Sequence, residues 1–360
     1  ASFSPTNVRA YFPSMRKVAL RLQGRWEAAA RADASIDLQA DLMRYTVDTI
    51  SGLAFGTDVN TLESDDDVIQ QHLDKIFPAL FSRVFKMFPY WRYVRLPADR
   101  QLDRSMREIN LAIDGFIASA RERLRADPSV PRQPRNLLEA MIVAADEPGS
   151  GVDDQDVAGN VMTMLLAGED TTANTLAWMI HLLYRNPKAL ERAREEVRRL
   201  APDPAAFTAE QMASLDYLEA CANETMRLKP VAPNLPVEAI EDTVVGGVAV
   251  PKDTLVWSVL RHGSMDDQYF PNASEFRPER WLEAGAQEQG MNSSKRVAMP
   301  FGSGPRVCPG RYLAMLEIKM AMAMLLARFE IASVEAPTGG EAEELLSFTM
   351  SPVGLRMRLR

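Results

Sequence analysis

One long helical pattern runs from Asp154 to Asn186 and is closed by Pro187. At about 1.5 Å per residue it spans roughly 50 Å, the width of a large domain, so the fold must carry this helix through its interior. Its middle departs from the apolar pattern: after VMTMLL comes AGEDTTANT, residues 167–175, before apolar LAWMIHLL resumes. A polar island on a buried helix costs free energy unless its groups are satisfied or used. Gly168 is about 1 kcal/mol worse than Ala in a helix interior, and Thr171 and Thr172 can bond back to carbonyls and loosen the turn. Together they predict a bulge with room for a small ligand or a water. Ala167 and Thr171, four apart, share a face, and Asp170 beside them is placed to relay protons. The same residues also read as a kinked helix with capped polar groups.

The rest of the chain is helix-dominated. Two helices are expected across residues 14–57, and another opens at the acidic stretch 63–67 and carries Phe77, Phe81, Phe85 and Phe88 as a stripe for the core. Loops follow at 127–135 and 146–156, then helices over Pro187–Leu200 and Ala213–Lys229. The period changes in DTVVGGVAVPKDTLVW, residues 242–257, where β-branched runs flank Gly246-Gly247 as in a hairpin. Leu345–Leu359 has β-friendly parts around Pro352-Val353-Gly354. The expected class is mainly α with a small β portion, in one domain over 1–360: helix-rich 1–229, mixed β and loop 230–300, a cysteine loop and its helix 301–329, and a C-terminal β hairpin region 345–360.

The net charge of −8 argues against nucleic acid as a partner. Three scattered histidines leave little room for a histidine metal cluster, and no GxSxG, Walker or GxGxxG motif occurs. Two cysteines, Cys221 and Cys308, make no disulfide framework and fit a reducing cytoplasm. No apolar run reaches the eighteen or so residues a membrane span needs.

Cys308 lies in FGSGPRVCPG, residues 301–310. It precedes Pro309, suited to a first helical position, and the apolar-rich GRYLAMLEIKMAMAMLLARF follows. This predicts Cys308 at a helix N-cap, where the dipole and free N–H groups favour a thiolate, with Gly302, Gly304 and Gly310 letting the backbone close around the sulfur. A nucleophile needs a base, and no histidine is near in sequence. A soft thiolate suits iron, and Arg306 can pair with a cofactor carboxylate. The plain alternative is a small buried cysteine in a turn. In ETMR, residues 224–227, Glu224 and Arg227 share a helix face; FRPERW, residues 276–281, offers Arg280 as a further partner in a buried network.

These four motifs together resemble the cytochrome P-450 family of haem-thiolate monooxygenases, in its bacterial type. FGSGPRVCPG fits the signature F-x-x-G-x-R-x-C-x-G, AGEDTT the oxygen-activating motif, ETMR the E-x-x-R motif, and FRPERW the segment of the second arginine. The resemblance implies a long central helix over haem b (iron protoporphyrin IX), a cysteine loop beneath it, and O2 as co-substrate. It implies Cys308 as the iron ligand, Phe301 near the sulfur, Arg306 on a propionate, and Gly302, Gly310 and Ala167 bordering the cofactor. Thr171 and Asp170 become the alcohol and acid that supply protons, and Glu224, Arg227 and Arg280 a structural network. Val231, Ala232, Asn234, Leu235, Phe348 and Thr349 are implied to line a pocket for a hydrophobic small molecule. Relatives carry further N-terminal strands and helix before the point where Ala1 stands, so the chain reads as N-terminally incomplete. Glu238 stands where many relatives place a propionate-binding arginine. Electrons are expected from a separate ferredoxin with its reductase, or from a flavodoxin-type reductase, docking on Lys295, Arg296, Arg311 and Lys319. Peroxygenase or isomerase chemistry and non-catalytic gas sensing compete with this reading; an intact Asp170-Thr171 pair speaks against the first two.

Overall fold

The central helix, Asp154–Arg185, begins at a reciprocal cap: the Asp153 carboxylate accepts the Asp156 N–H at 2.9 Å, and the Asp156 carboxylate accepts the Asp153 N–H at 3.1 Å. Pro187 stops it and starts the next helix, Pro187–Leu200. As far as Leu166 only Val157, Val161 and Leu165 are buried, a single stripe at four-residue spacing; from Thr172 to Leu183 every side chain is buried. The helix therefore starts on the surface and ends in the core. The computed structural model describes residues 9, 11–64, 68–84, 86–127, 134–283, 297–347 and 349–360.

Further helices surround this one: Phe12–Arg31, Leu38–Ile50, Val68–Val84, Pro97–Ala126, Leu137–Ala145, Asp216–Leu228 and the cysteine helix Arg311–Arg328. Helix Leu38–Ile50 crosses the central helix at close range. The Thr46 hydroxyl donates to the Glu169 carbonyl at 2.9 Å, and a Cβ on Gly168 would stand 3.2 Å from Ile50 Cγ1. Gly168 thus marks a helix crossing. The expected bulge is absent: residues 167–175 stay α-helical, with the Thr171 and Thr175 hydroxyls donating to the carbonyls of Ala167 and Thr171 at 2.8 Å each. The widened turn occurs in the neighbouring helix instead, which runs on into a π turn, Ser51–Phe55, ended by Gly56 at φ +66°.

Nine short strands are present among the described residues: β1 (Ile36–Asp37), β2 (Asn234–Glu238), β3 (Thr243–Val245), β4 (Val248–Val250), β5 (Leu255–Val259), β6 (Ile331–Glu335), β7 (Glu344–Leu346), β8 (Met350–Pro352) and β9 (Arg356–Leu359). All pairings are antiparallel, in the order β1-β9-β6 and in the pairs β2-β5, β3-β4 and β7-β8. Gly246 and Gly247, at φ +57° and +83°, supply the two positive-φ positions of a tight hairpin turn between β3 and β4. The expected C-terminal hairpin is divided differently. β8 folds back on β7, and beyond Gly354 the chain leaves to pair β9 with β6 and β1. Gly354 stands at φ +61°, where a Cβ would lie 2.9 Å from Pro337 Cγ, so the chain turns there past a ring that only glycine clears.

Other boundaries also shift. The helix expected from Ala213 starts at Asp216, because Thr208 caps a separate short helix, Ala209–Ala213. Strands β1 and β6 were not expected, β1 falling inside the helix-rich part. The phenylalanine stripe does not extend to Phe88, which lies beyond the helix end at Val84 and is 62% exposed; Phe81 is half-buried, and the Phe77 and Phe85 side chains lie outside the described residues.

One continuous apolar core extends from Phe12 to Leu359, and a satellite of Ala220, Phe270, Ala273, Trp281 and Ala298 adjoins it. The satellite surrounds a buried polar knot. Glu224 accepts five hydrogen bonds: two from Arg227 at 2.9 Å, and one each from Arg280 Nε at 3.0 Å, Trp281 Nε1 at 2.9 Å and the Arg277 N–H at 2.9 Å. Arg227 spends its other donors on the carbonyls of Ser264, Ala273 and Glu275, at 2.6, 2.7 and 3.1 Å. Removing one member of such a buried set costs about 3–5 kcal/mol, against a total stability of about 5–15 kcal/mol. Glu224→Leu, which strands two guanidinium groups, is expected to lower the unfolding free energy extrapolated from urea denaturation by that margin. Arg227→Lys is expected not to hold stability, because an ammonium cannot replace a fork that reaches a carboxylate and three carbonyls.

Candidate functional site

Two tight turns build the cysteine loop. The Gly302 N–H donates to the Met299 carbonyl at 2.9 Å, the Val307 N–H to Gly304 at 3.2 Å, and the Cys308 N–H to Phe301 at 2.8 Å. Gly302 and Gly304 sit at φ +70° and +68°, where a side chain would strain the backbone. The cysteine helix begins at Arg311 with Gly310 at its cap, so Cys308 stands two residues ahead of the cap and Pro309 outside the helix, correcting the expected N-cap. The backbone N–H groups of Gly310 and Arg311 and the Arg311 charge pull the Cys308 thiol down, but burial pushes it up by more. Cys221, the other free cysteine, is fully buried, and burial pushes its thiol well up.

Between the cysteine loop and the central helix lies a cavity of about 320 Å³. Ala167, Gly168, Thr171, Thr172 and Thr175 form one wall; Phe301, Gly302, Arg306, Cys308, Pro309 and Gly310 form the other. Val231, Ala232, Asn234 and Leu235 close one side. Small residues on the helix face the sulfur, and a Cβ on Gly310 would come 3.8 Å from Cys308 Sγ. Arg306 is exposed at this cavity and has no carboxylate partner among the described residues. A soft sulfur, an uncommitted guanidinium and mostly apolar walls suit a flat apolar group that carries iron and carboxylates. A larger open cleft, about 1230 Å³, runs along helix Phe12–Arg31, but its charges are already paired, as in Arg21–Asp58 and Arg25–Asp41.

Not every expected residue meets at the cavity. Asp170 does not line it; its carboxylate accepts hydrogen bonds from Asn174 Nδ2 at 2.8 Å and from the Thr349 hydroxyl. Thr349, expected in the pocket wall, is therefore a partner of Asp170, and Phe348 lies outside the described residues. Glu238 is exposed at the end of β2, away from the lining. Lys319 cannot belong to a docking patch: it is buried, pairs with Glu219 at 2.6 Å and donates to the Met212 carbonyl at 3.0 Å. Arg311 is half-buried over the Tyr312 ring, and Lys295 and Arg296 lie outside the described residues.

Glu317 was missed. It lines the cavity from the cysteine helix, is 2% exposed, and has Oε1 without a hydrogen-bond partner. Burial pushes its carboxyl far up, opposed only by the Thr172 hydroxyl, and the Tyr45 hydroxyl donates to its backbone carbonyl at 3.2 Å. The signal was present: Glu317 and Lys319 interrupt an otherwise apolar helix, and so must be paired or used.

A mainly α fold with a cysteine loop facing a small-residue stretch of a long helix defines a class of cofactor-binding protein. The Cytochrome P-450 family model matches residues 1–357, and the chain belongs to that family. It is 28% identical to a probable mitochondrial cytochrome P-450 of Drosophila melanogaster, over 91% of this chain and 63% of that protein. It is 30% identical to a self-sufficient cytochrome P-450 monooxygenase of Exserohilum turcicum, over 99% of this chain and 32% of that one. The chain thus spans less than two thirds of the curated relatives' length. The crystal structure of the cytochrome P450DA heme domain matches it with a TM-score of 0.84 at 27% identity, covering 100% of this chain and 75% of that chain. Haem b is the cofactor of the family, with O2 as co-substrate. Among the described residues no helix is long and apolar enough to cross a membrane.

A larger side chain at position 310 is expected to occupy the space beside the sulfur. Gly310→Val should lose haem uptake in an absorbance titration while its unfolding midpoint stays close to that of the parent protein.

Proposed function

We propose that this chain is the haem-thiolate portion of a monooxygenase that inserts one oxygen atom of O2 into a C–H bond of a hydrophobic small molecule. The observation that supports it most is the placement of Cys308 and Arg306 on one wall of an apolar cavity and of Ala167 and Thr171 on the other. Cys308 would ligate the iron and Arg306 would meet a propionate, the more so because Glu238 offers no positive charge. Haem bound through an anionic sulfur supplies the activation of O2.

The chain's own residues do the rest. Phe301, Gly302 and Gly310 shape the space at the sulfur, and Ala167 leaves room above it. The Thr171 hydroxyl, now donating to the Ala167 carbonyl at 2.8 Å, holds a proton at the cavity wall, and Asp170 replenishes it. Val231, Ala232, Asn234 and Leu235 exclude water and orient an apolar substrate. Electrons come from a separate ferredoxin or flavodoxin-type partner in this reading; the bifunctional relative whose name includes a reductase marks the alternative of a fused donor.

The carbon monoxide difference spectrum of the reduced, haem-loaded protein tests the ligand: a strongly red-shifted Soret band is expected, absent in Cys308→Ala. A band typical of a neutral thiol or a histidine ligand overturns the proposal. With a reductase system, Thr171→Ala is expected to lower product formed per reductant consumed by up to about a hundredfold, the low end for loss of a positioned proton donor, with the balance appearing as peroxide or water.

A further inference from the structure

Asp170 belongs to the polar island whose next residues, Thr171 and Thr172, line the cavity, yet its own carboxylate is turned behind that wall. Two neutral donors hold it there. Asn174, one turn along the central helix, donates from Nδ2 to Asp170 Oδ1 at 2.8 Å, and the Thr349 hydroxyl, between β7 and β8, donates to Oδ2. The Asn174 amide has a fixed direction: its oxygen accepts Gln39 Nε2 at 3.1 Å, which leaves its NH2 end for Asp170. Gln39 is half-buried near the start of helix Leu38–Ile50, so two side chains, Asn174 and Gln39, link the acid to the edge of the protein.

Thr349 is tied to the substrate side of the cavity through its backbone. The Met350 N–H donates to the carbonyl of Val231, a cavity-lining residue, at 2.8 Å, and Trp178 Nε1 donates to the Met350 carbonyl at 3.2 Å. A displacement of the Val231 segment by an entering molecule therefore reaches the residue next to Thr349.

We propose that Thr349 and Asn174, backed by Gln39, are positioning residues for Asp170: they hold its carboxylate as an acceptor behind the cavity wall and govern its turn toward Thr171. The role as proton source rests on the monooxygenase reading above; the holding geometry does not. Burial pushes the Asp170 carboxyl up, and the Thr349 and Asn174 donors pull it back. Both donors favour the ionised form. Removing either leaves burial less opposed, and the proton stays on to higher pH.

The test is an infrared titration of the Asp170 carboxyl, identified by its disappearance in Asp170→Asn, made on the protein with and without haem. Thr349→Val is expected to move its midpoint up by about one to two pH units, the value of a hydrogen bond to a charged group, and to move the pH profile of product per reductant in the same direction. Gln39→Ala, which frees the Asn174 amide to turn over, should give a smaller upward shift. Thr349→Ser keeps the hydroxyl and should titrate like the parent. An unmoved or lowered midpoint in Thr349→Val, or a Ser variant that shifts as far as Val, overturns the proposal. Because the midpoint is read without turnover, failure of the positioning role is distinguishable from failure of the monooxygenase reading, which the carbon monoxide spectrum reports.

Discussion

A single buried carboxylate organises the half of the molecule that carries the cysteine. Glu224 draws in two guanidinium groups, an indole and a backbone N–H. The stretch 264–281 has little regular structure apart from the short turn Pro278–Trp281, so its course is fixed by side chains. Arg227 binds three of its carbonyls, and Arg280 binds that of Pro271 at 3.2 Å. Two cations against one anion leave an excess of positive charge, spread over those carbonyls and over the Phe270 ring, 5.0 Å beneath Arg227. Phe270 and Trp281 pack with Ala298, just before the cysteine loop. The loop therefore enters from a rigid platform, which is what a sulfur held in one place requires.

Asp170 and Glu317, both buried, are treated differently. Asp170 has a donor on each oxygen and can remain an acceptor behind the wall. Glu317 has one hydroxyl neighbour and an oxygen with no partner, so burial favours its neutral form. Consecutive threonines serve these different surroundings: Thr171 bonds back to its own helix, while Thr172 turns to Glu317. A polar island that is costly on a lone helix becomes affordable once the neighbouring helices supply its partners.

Local chemistry is what the sequence made legible. The stop at Pro187 and the Gly246-Gly247 turn depend on adjacent residues, and both form where their residue types place them. The motifs could be found because glycine, proline and cysteine at fixed offsets leave few alternatives. What could not be read depends on partners distant in sequence. Gly168 looked like a weak point because Ile50 was not in view, and its actual work is to let two helices cross. Thr349 was placed in the pocket by the family resemblance, whereas its hydroxyl is directed by an aspartate more than a hundred and seventy residues earlier. Cys308 missed the cap by two residues, since the helix start is set by how the loop closes on Phe301.

The three-stranded sheet has a consequence for assembly. Its middle strand is β9, pairing Met357 with Ile36 on one side and with Val334 on the other. The Leu38 N–H donates to the Leu355 carbonyl at 3.2 Å, tying the start of the helix that crosses Gly168 to the same late segment. During synthesis β1 emerges long before its partner exists, and helix Leu38–Ile50 waits with it. Contacts this distant in sequence slow folding, because loop closure must come before they stabilise anything. The crossing that shapes the cavity wall is thus completed only when a segment far later in the sequence has been made, and a nascent chain must hold its central helix without that wall until then.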